Sequence, residues 1–162
     1  MKKRTWAISI LIGLMVLSAS CGGRDKVTID PDANMIGTVA QASDNVDMDI
    51  IALIQTTGSD YSTPDKGYIF YVVKFKFINS GSDAVDLRES DFIATIDGEE
   101  YVPIEGKLNF VPDKMGDSLA LEGGETATTK VVFMLPTNGS TYVLTYRPNY
   151  SSNVIKYNLV DS

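Results

Sequence analysis

Twelve residues in the middle of the chain, Tyr68 to Asn79 (YIFYVVKFKFIN), constrain the class of structure more tightly than any other segment. Their second half alternates, with Val73, Phe75 and Phe77 at odd positions and Lys74 and Lys76 between them. Successive side chains of a strand point to opposite faces. A period of two with charge on one side therefore predicts a strand with one buried and one wet face. No stretch of useful length repeats apolar residues at the i, i+3, i+4, i+7 spacing of an amphipathic helix.

The rest of the body reads the same way, as β-branched and aromatic runs cut by Gly, Asn, Asp and Pro. Met35 to Gln41 and Val46 to Thr56 are expected strands, and Gly58 to Gly67 (GSDYSTPDKG) is a loop by composition. After a turn at residues 79–83, Val85 and Leu87 and then Phe92, Ala94 and Ile96 are expected to continue the sheet. Asp97-Gly98 followed by Glu99 to Val102 predicts a tight hairpin. Lys107 to Gly116 is ambiguous, expected as a short strand plus a loop ending near Met115. Thr126 to Leu135 is a strand stopped by Pro136, which has no N–H to give to a ladder. Thr141 to Tyr146 and Asn153 to Leu159 complete eight or nine short strands at roughly ten-residue spacing, the pattern of an antiparallel sandwich or barrel. With 44% hydrophobic residues among 162, one core-forming domain is within reach.

Composition narrows the chemistry. The chain has no His, which removes the commonest general base at neutral pH and the commonest transition-metal ligand. A single Cys allows neither an internal disulfide nor a Cys/His zinc cage. Twenty-one acidic against 14 basic side chains speak against nucleic acid as a partner, because a phosphate backbone wants clustered Lys and Arg.

The N-terminus reads as an address. Lys2, Lys3 and Arg4 precede an uncharged apolar run from Trp6 to Leu17. A membrane-spanning helix needs about 20 apolar residues, so this run has the length of a signal-peptide core. Ser18, Ala19 and Ser20 lead to Cys21, the only cysteine. The arrangement resembles the lipobox of bacterial lipoproteins, with Ser18 where that family usually has Leu. The resemblance implies acylation of the Cys21 thiol and removal of residues 1–20. The processed chain would keep eleven basic side chains against 21 acidic, a formal charge of −10. Attachment would then rest on the lipid, since such a charge disfavours an anionic membrane face. Residues 21–34, with Gly22-Gly23 and mixed charges, read as a lipidated flexible tether, and residues 35–162 as the folded domain. The expected location is the extracytoplasmic face of the cell membrane, or an outer membrane if the host is Gram-negative.

Within the domain, one order of motifs is specific. The run Tyr71 to Asn79 is followed by Asp91-Phe92, by Asp97-Gly98-Glu99-Glu100-Tyr101, and by Leu121-Glu122-Gly123-Gly124-Glu125. Val132-Phe133, Pro136 and Leu144-x-Tyr146-x-Pro148 follow in turn. This order resembles the DUF4352 family of bacterial lipoproteins, with a telokin-like, immunoglobulin-like β-sandwich related to secreted mycobacterial immunoprotective antigens. The resemblance spans about Asp44 to Leu159 and implies the fold; it brings no activity and no catalytic residues.

Candidate chemistry is sparse. Asp44, Asn45, Asp47 and Asp49 offer oxygens to a divalent cation, but oxygens spaced along one strand face do not converge as a calcium loop requires. Asp113, Asp117 and Glu122, with Lys114 among them, suit a solvated loop. Glu99, Glu100 and Glu105 do not suggest a glycosidase pair, because no apolar setting is evident to hold one protonated. Neither a Ser-x-x-Lys motif nor a phosphate-binding Gly-x-x-x-x-Gly-Lys loop is present, and no cofactor or metal is expected. Eight tyrosines remain, equally at home in half-buried strands and at interfaces. The loops carrying Tyr61 and Arg147–Tyr150 are the expected binding positions. The leading expectation is a non-catalytic envelope lipoprotein that binds an envelope protein or glycan. A small-ligand or divalent-cation module using the acidic loops is the alternative, a hydrolase with a His-free site is a third reading, and the oligomeric state is open.

Overall fold

The computed structural model describes residues 27–148 and 154–160. Ten strands follow in order: β1 (Ala40–Ser43), β2 (Val46–Thr56), β3 (Tyr68–Asn79), β4 (Val85–Arg88), β5 (Phe92–Ile96), β6 (Glu99–Tyr101), β7 (Ser118–Leu121), β8 (Thr126–Pro136), β9 (Tyr142–Tyr146) and β10 (Ile155–Asn158). One sheet has the order β1-β2-β3-β8 and the other β10-β9-β5-β6, all pairs antiparallel. The fold is the all-β, antiparallel sandwich that the alternation of β3 predicts.

Each strand sends its inward residues to a common core. Val73, Phe75 and Phe77 of β3 are fully buried, while Lys74 and Lys76 lie on the outer face. Phe92 of β5 stands at the centre of an aromatic group, 4.8 Å from the Phe75 ring, 6.5 Å from Phe77 and 4.8 Å from Tyr146. Burying one such side chain stabilises the fold by about 1.5–3 kcal/mol. Tyr142, Tyr146 and Tyr157 belong to this core and not to a binding surface. The Tyr157 hydroxyl lies 2.8 Å from the Thr38 carbonyl and 3.0 Å from that of Met48, so β10 is fastened across the open side of the sandwich to β2.

Four local expectations change. β1 begins only at Ala40: Met35–Thr38 forms a turn with Gly37 at φ 84°, and the Gly37 N–H donates to the Ile50 carbonyl. β4 does not continue into the sheet of β5; it pairs with β7 as a separate two-stranded ribbon. Residues 107–116 form no strand. Instead this connection runs along the free edge of β8, with Ile104 N–H donating to Val132 O and Met115 N–H to Lys130 O. It also folds Leu108, Phe110 and Val111 over Phe70, Val72 and Val132 on the outer face, making a second small core. That cover gives Phe70 and Val72 their burial on the side expected to be wet.

The fourth change concerns the tether. Its last residues are not free. Thr28 N–H donates to Ser140 O at 2.6 Å, and Asn34 exchanges two backbone bonds with Lys156 and Asn158. Asn158, 1% exposed, accepts from Asp30 N–H through its side-chain oxygen and donates to the carbonyls of Asp30 and Ala33. Thr28–Asn34 is thus laid against β10, because a buried amide needs partners and this segment supplies them. The fold begins some seven residues earlier than composition suggested.

Candidate functional site

The register of the sheets fixes which loops share an end. β3 starts at Tyr68 opposite Pro136, the last residue of β8. The Tyr142 hydroxyl donates to Pro136 O, so the start of β9 lies at that same end. Ile96 pairs with Tyr142 and brings the β5–β6 hairpin there too. This end therefore gathers the 57–67 loop, the Asp97-Gly98 turn and the 137–141 connection, and Thr28 joins it through Ser140. Four residues further along β9, Tyr146 pairs with Phe92, and the Arg147 N–H donates to Asp91 O at the opposite end.

Tyr61 and Arg147, the two expected binding positions inside the described residues, are therefore not brought together. Sequence order gives no sign of this; only the register of β5 with β9 reveals it. Cys21 and Tyr150 lie outside the described residues.

Tyr61 sits at the tip of a turn closed by two backbone bonds between Ser59 and Ser62, at 2.9 and 3.0 Å. Gly58, at φ 83°, begins the turn; a Cβ there would run into the Ser62 carbonyl. The ring is 93% exposed, the most exposed large hydrophobic side chain among the described residues. Thr57, Asp60, Asp65 and Tyr68 border an open hollow of about 460 Å³ beside it.

A second hollow, of about 410 Å³, lies on the outer face of the β10-β9-β5-β6 sheet. Thr28 to Pro31 forms one wall, and Thr95, Val143, Thr145 and Lys156 form the floor. The Lys156 ammonium stands 3.8 Å from an Asp30 carboxylate oxygen at the rim. The sequence reading missed this groove because its wall is the docked tether, which pairs with residues more than 100 positions away.

The acidic groups do not assemble. Among the described residues no three carboxylates approach as metal ligands would. Asp47 and Asp49 share the outer face of β2 with Lys76 opposite Asp49. Lys114 leaves its acidic neighbours and donates to Glu89 at 2.6 Å, both side chains nearly buried. Burial raises the Glu89 pKa, and the Lys114 ammonium only partly offsets it. This pair pins the 102–117 connection to the turn before β5.

Asp97, at φ 50°, accepts from the N–H groups of Ser140 and Thr141 and from the Thr141 hydroxyl. Those donors, the Ser140 N–H first, hold its carboxyl below the usual range near 3.8. A depressed acid stabilises the fold above its unfolded pKa, and that stabilisation is lost as pH falls through the folded value. Asp97→Asn should flatten the acid limb of stability below about pH 4, read as the melting temperature against pH.

Two four-stranded antiparallel sheets packed on a common core define the class: a β-sandwich domain. The chain belongs to the DUF4352 family, a domain of unknown function whose model matches residues 34–155. Its fold is shared with ycdA of Bacillus subtilis, assigned as a candidate lipoprotein, at TM-score 0.60 and 17% identity over 75% of this chain and 38% of that one. The chain thus spans well under half of ycdA. It is also similar to yjhA of Bacillus subtilis (TM-score 0.60, 13% identity, 78% of this chain and 99% of that one). A secreted protein of Mycobacterium tuberculosis, MPT63, gives TM-score 0.55 at 14% identity over 81% of this chain and 99% of that one. These likenesses show the fold. No curated protein matches the sequence. Among the described residues no helix is long and apolar enough to cross a membrane.

Proposed function

We propose that this is a non-catalytic lipoprotein of the cell envelope, held by acyl chains on Cys21 and presenting its sandwich on the extracytoplasmic face as a binding module for an envelope protein or glycan. The observation that carries the reading is the spacing of address and fold. A signal-type apolar run ends at Leu17, four residues before the only cysteine, and seven residues after that cysteine Thr28 is fastened to the sandwich. Two or more acyl chains anchor a protein stably without help from its charge. The chain carries no His, the commonest general base at neutral pH, and among the described residues no three carboxylates gather, which is why we read a binding role.

The test is Cys21→Ser in the full chain. The variant should leave the membrane pellet for the soluble extracytoplasmic fraction and lose labelling by a palmitate analogue. Retention in the pellet would overturn the anchor.

A second reading, a small-ligand module, is favoured by the threonine-floored groove with Lys156 at its rim. A ligand held there would raise the melting temperature of the domain, by mass action on the native state. It would do so less with Thr145→Val.

A further inference from the structure

The tether and the sandwich have very different lengths, and the difference decides how the domain can stand. From Cys21 to Thr28 there are seven residues, which span at most about 25 Å when fully extended. β3, twelve residues long, runs about 40 Å along the sandwich. Thr28 is fixed at one end of that length through Ser140, in the same 137–141 connection whose Thr137 N–H donates to the Gly67 carbonyl at the base of the Tyr61 loop. A tether of this reach, leaving from this end, cannot bring the opposite end to the anchor.

We propose, on the reading of Cys21 as the anchor, that the sandwich stands end-on with the Tyr61 end toward the bilayer and the Tyr61 ring seated in its headgroup layer. A tyrosine suits that depth because its ring is apolar and its hydroxyl remains hydrated. The turn that carries it is closed by its own backbone bonds, so little further ordering is needed on contact. Tethering keeps the ring close to the surface, and a weak contact is then populated by effective concentration alone. Asp60, Asp65 and Lys66 border the hollow beside it, and Asp97, Glu99 and Glu100 lie at the same end of the sandwich, so the described side chains there are mainly acidic. The contact is therefore made with zwitterionic lipid and is opposed by anionic lipid. The Arg147 end faces outward, where a partner meets it.

The sequence offers a clean probe. Trp6, the only tryptophan, precedes Cys21, so the processed protein contains none. The full chain carrying Tyr61→Trp, or Asp44→Trp in the β1–β2 turn at the other end, is produced in a lipoprotein-processing host. Each is reconstituted into phosphatidylcholine vesicles with bromine near the headgroup end of the acyl chains. Both positions are exposed, and unchanged melting temperatures establish that both variants fold. The expected result is a blue-shifted emission and loss of most fluorescence for Tyr61→Trp, with Asp44→Trp unaffected, and a smaller loss when phosphatidylglycerol replaces part of the lipid. Equal quenching at the two positions, or none at either in protein that sediments with vesicles, overturns the proposal alone. Protein that carries no acyl chain and does not sediment overturns the anchor, and the orientation falls with it.

Discussion

Phe92→Ala should remove about 4 kcal/mol of stability, the largest single loss expected in the molecule. The ring is fully buried and meets Phe75, Phe77 and Tyr146 within 6.5 Å, so truncation forfeits both the transfer of the ring and its aromatic contacts. Phe75 and Phe77 come from β3 and Tyr146 from β9, so rigid strands surround the space and limit collapse into it. Domains of this size are stable by only about 5–15 kcal/mol in total. Urea unfolding followed by tyrosine fluorescence or circular dichroism should show the midpoint falling with little change in slope. A loss near 1 kcal/mol would mean that β5 can shift to fill the gap.

Lys114→Met should cost about 3 kcal/mol, although it replaces a charged residue by an apolar one. The substitution leaves the Glu89 carboxylate buried without its cation, and breaking a buried pair from one side costs more than never having had it. Glu89 already has a raised pKa because burial outweighs the attraction of Lys114. A raised acid binds its proton more readily in the fold than in the open chain. Its ionised form therefore costs stability above its ordinary value near 4.5, and that cost shrinks as pH falls. The deficit of Lys114→Met should accordingly narrow between pH 7 and pH 5, whereas that of Phe92→Ala should not. Glu89→Leu together with Lys114→Met should be more stable than Lys114→Met alone. If the double variant were the worse of the two, the pair would be contributing net stability rather than holding a loop in place.

What could be read from the sequence was local in origin. β3 announces itself by alternation, β8 by a β-rich run stopped at Pro136, and the Asp97-Gly98 hairpin by two residues suited to positive φ, here 50° and 91°. The order of turns carried the family resemblance, and the family model agrees with it over residues 34–155. What could not be read depends on distant partners. The tether looked free because Asp30 and Asn158, which join it to β10, lie 128 residues apart. Residues 107–116 looked undecided because Leu108, Phe110 and Val111 cover the outside of other strands and obey no period of their own. The candidate positions Tyr61 and Arg147 were each visible as loop residues. Their placement at opposite ends follows from register, which a list of strands does not contain.

The strap from Thr28 to Asn34 also has a mechanical meaning. A pull on the N-terminal side of the domain enters the fold at Thr28 and reaches the clasp at Asn158 before it can load either sheet. Peeling that strap breaks a handful of hydrogen bonds one after another and leaves the aromatic core untouched. It also pays out seven more residues of chain, about 25 Å of slack. The strap should therefore yield first under load, at a smaller force than the one that unfolds the sandwich behind it, and a pulling experiment from the N-terminal side would show the two steps.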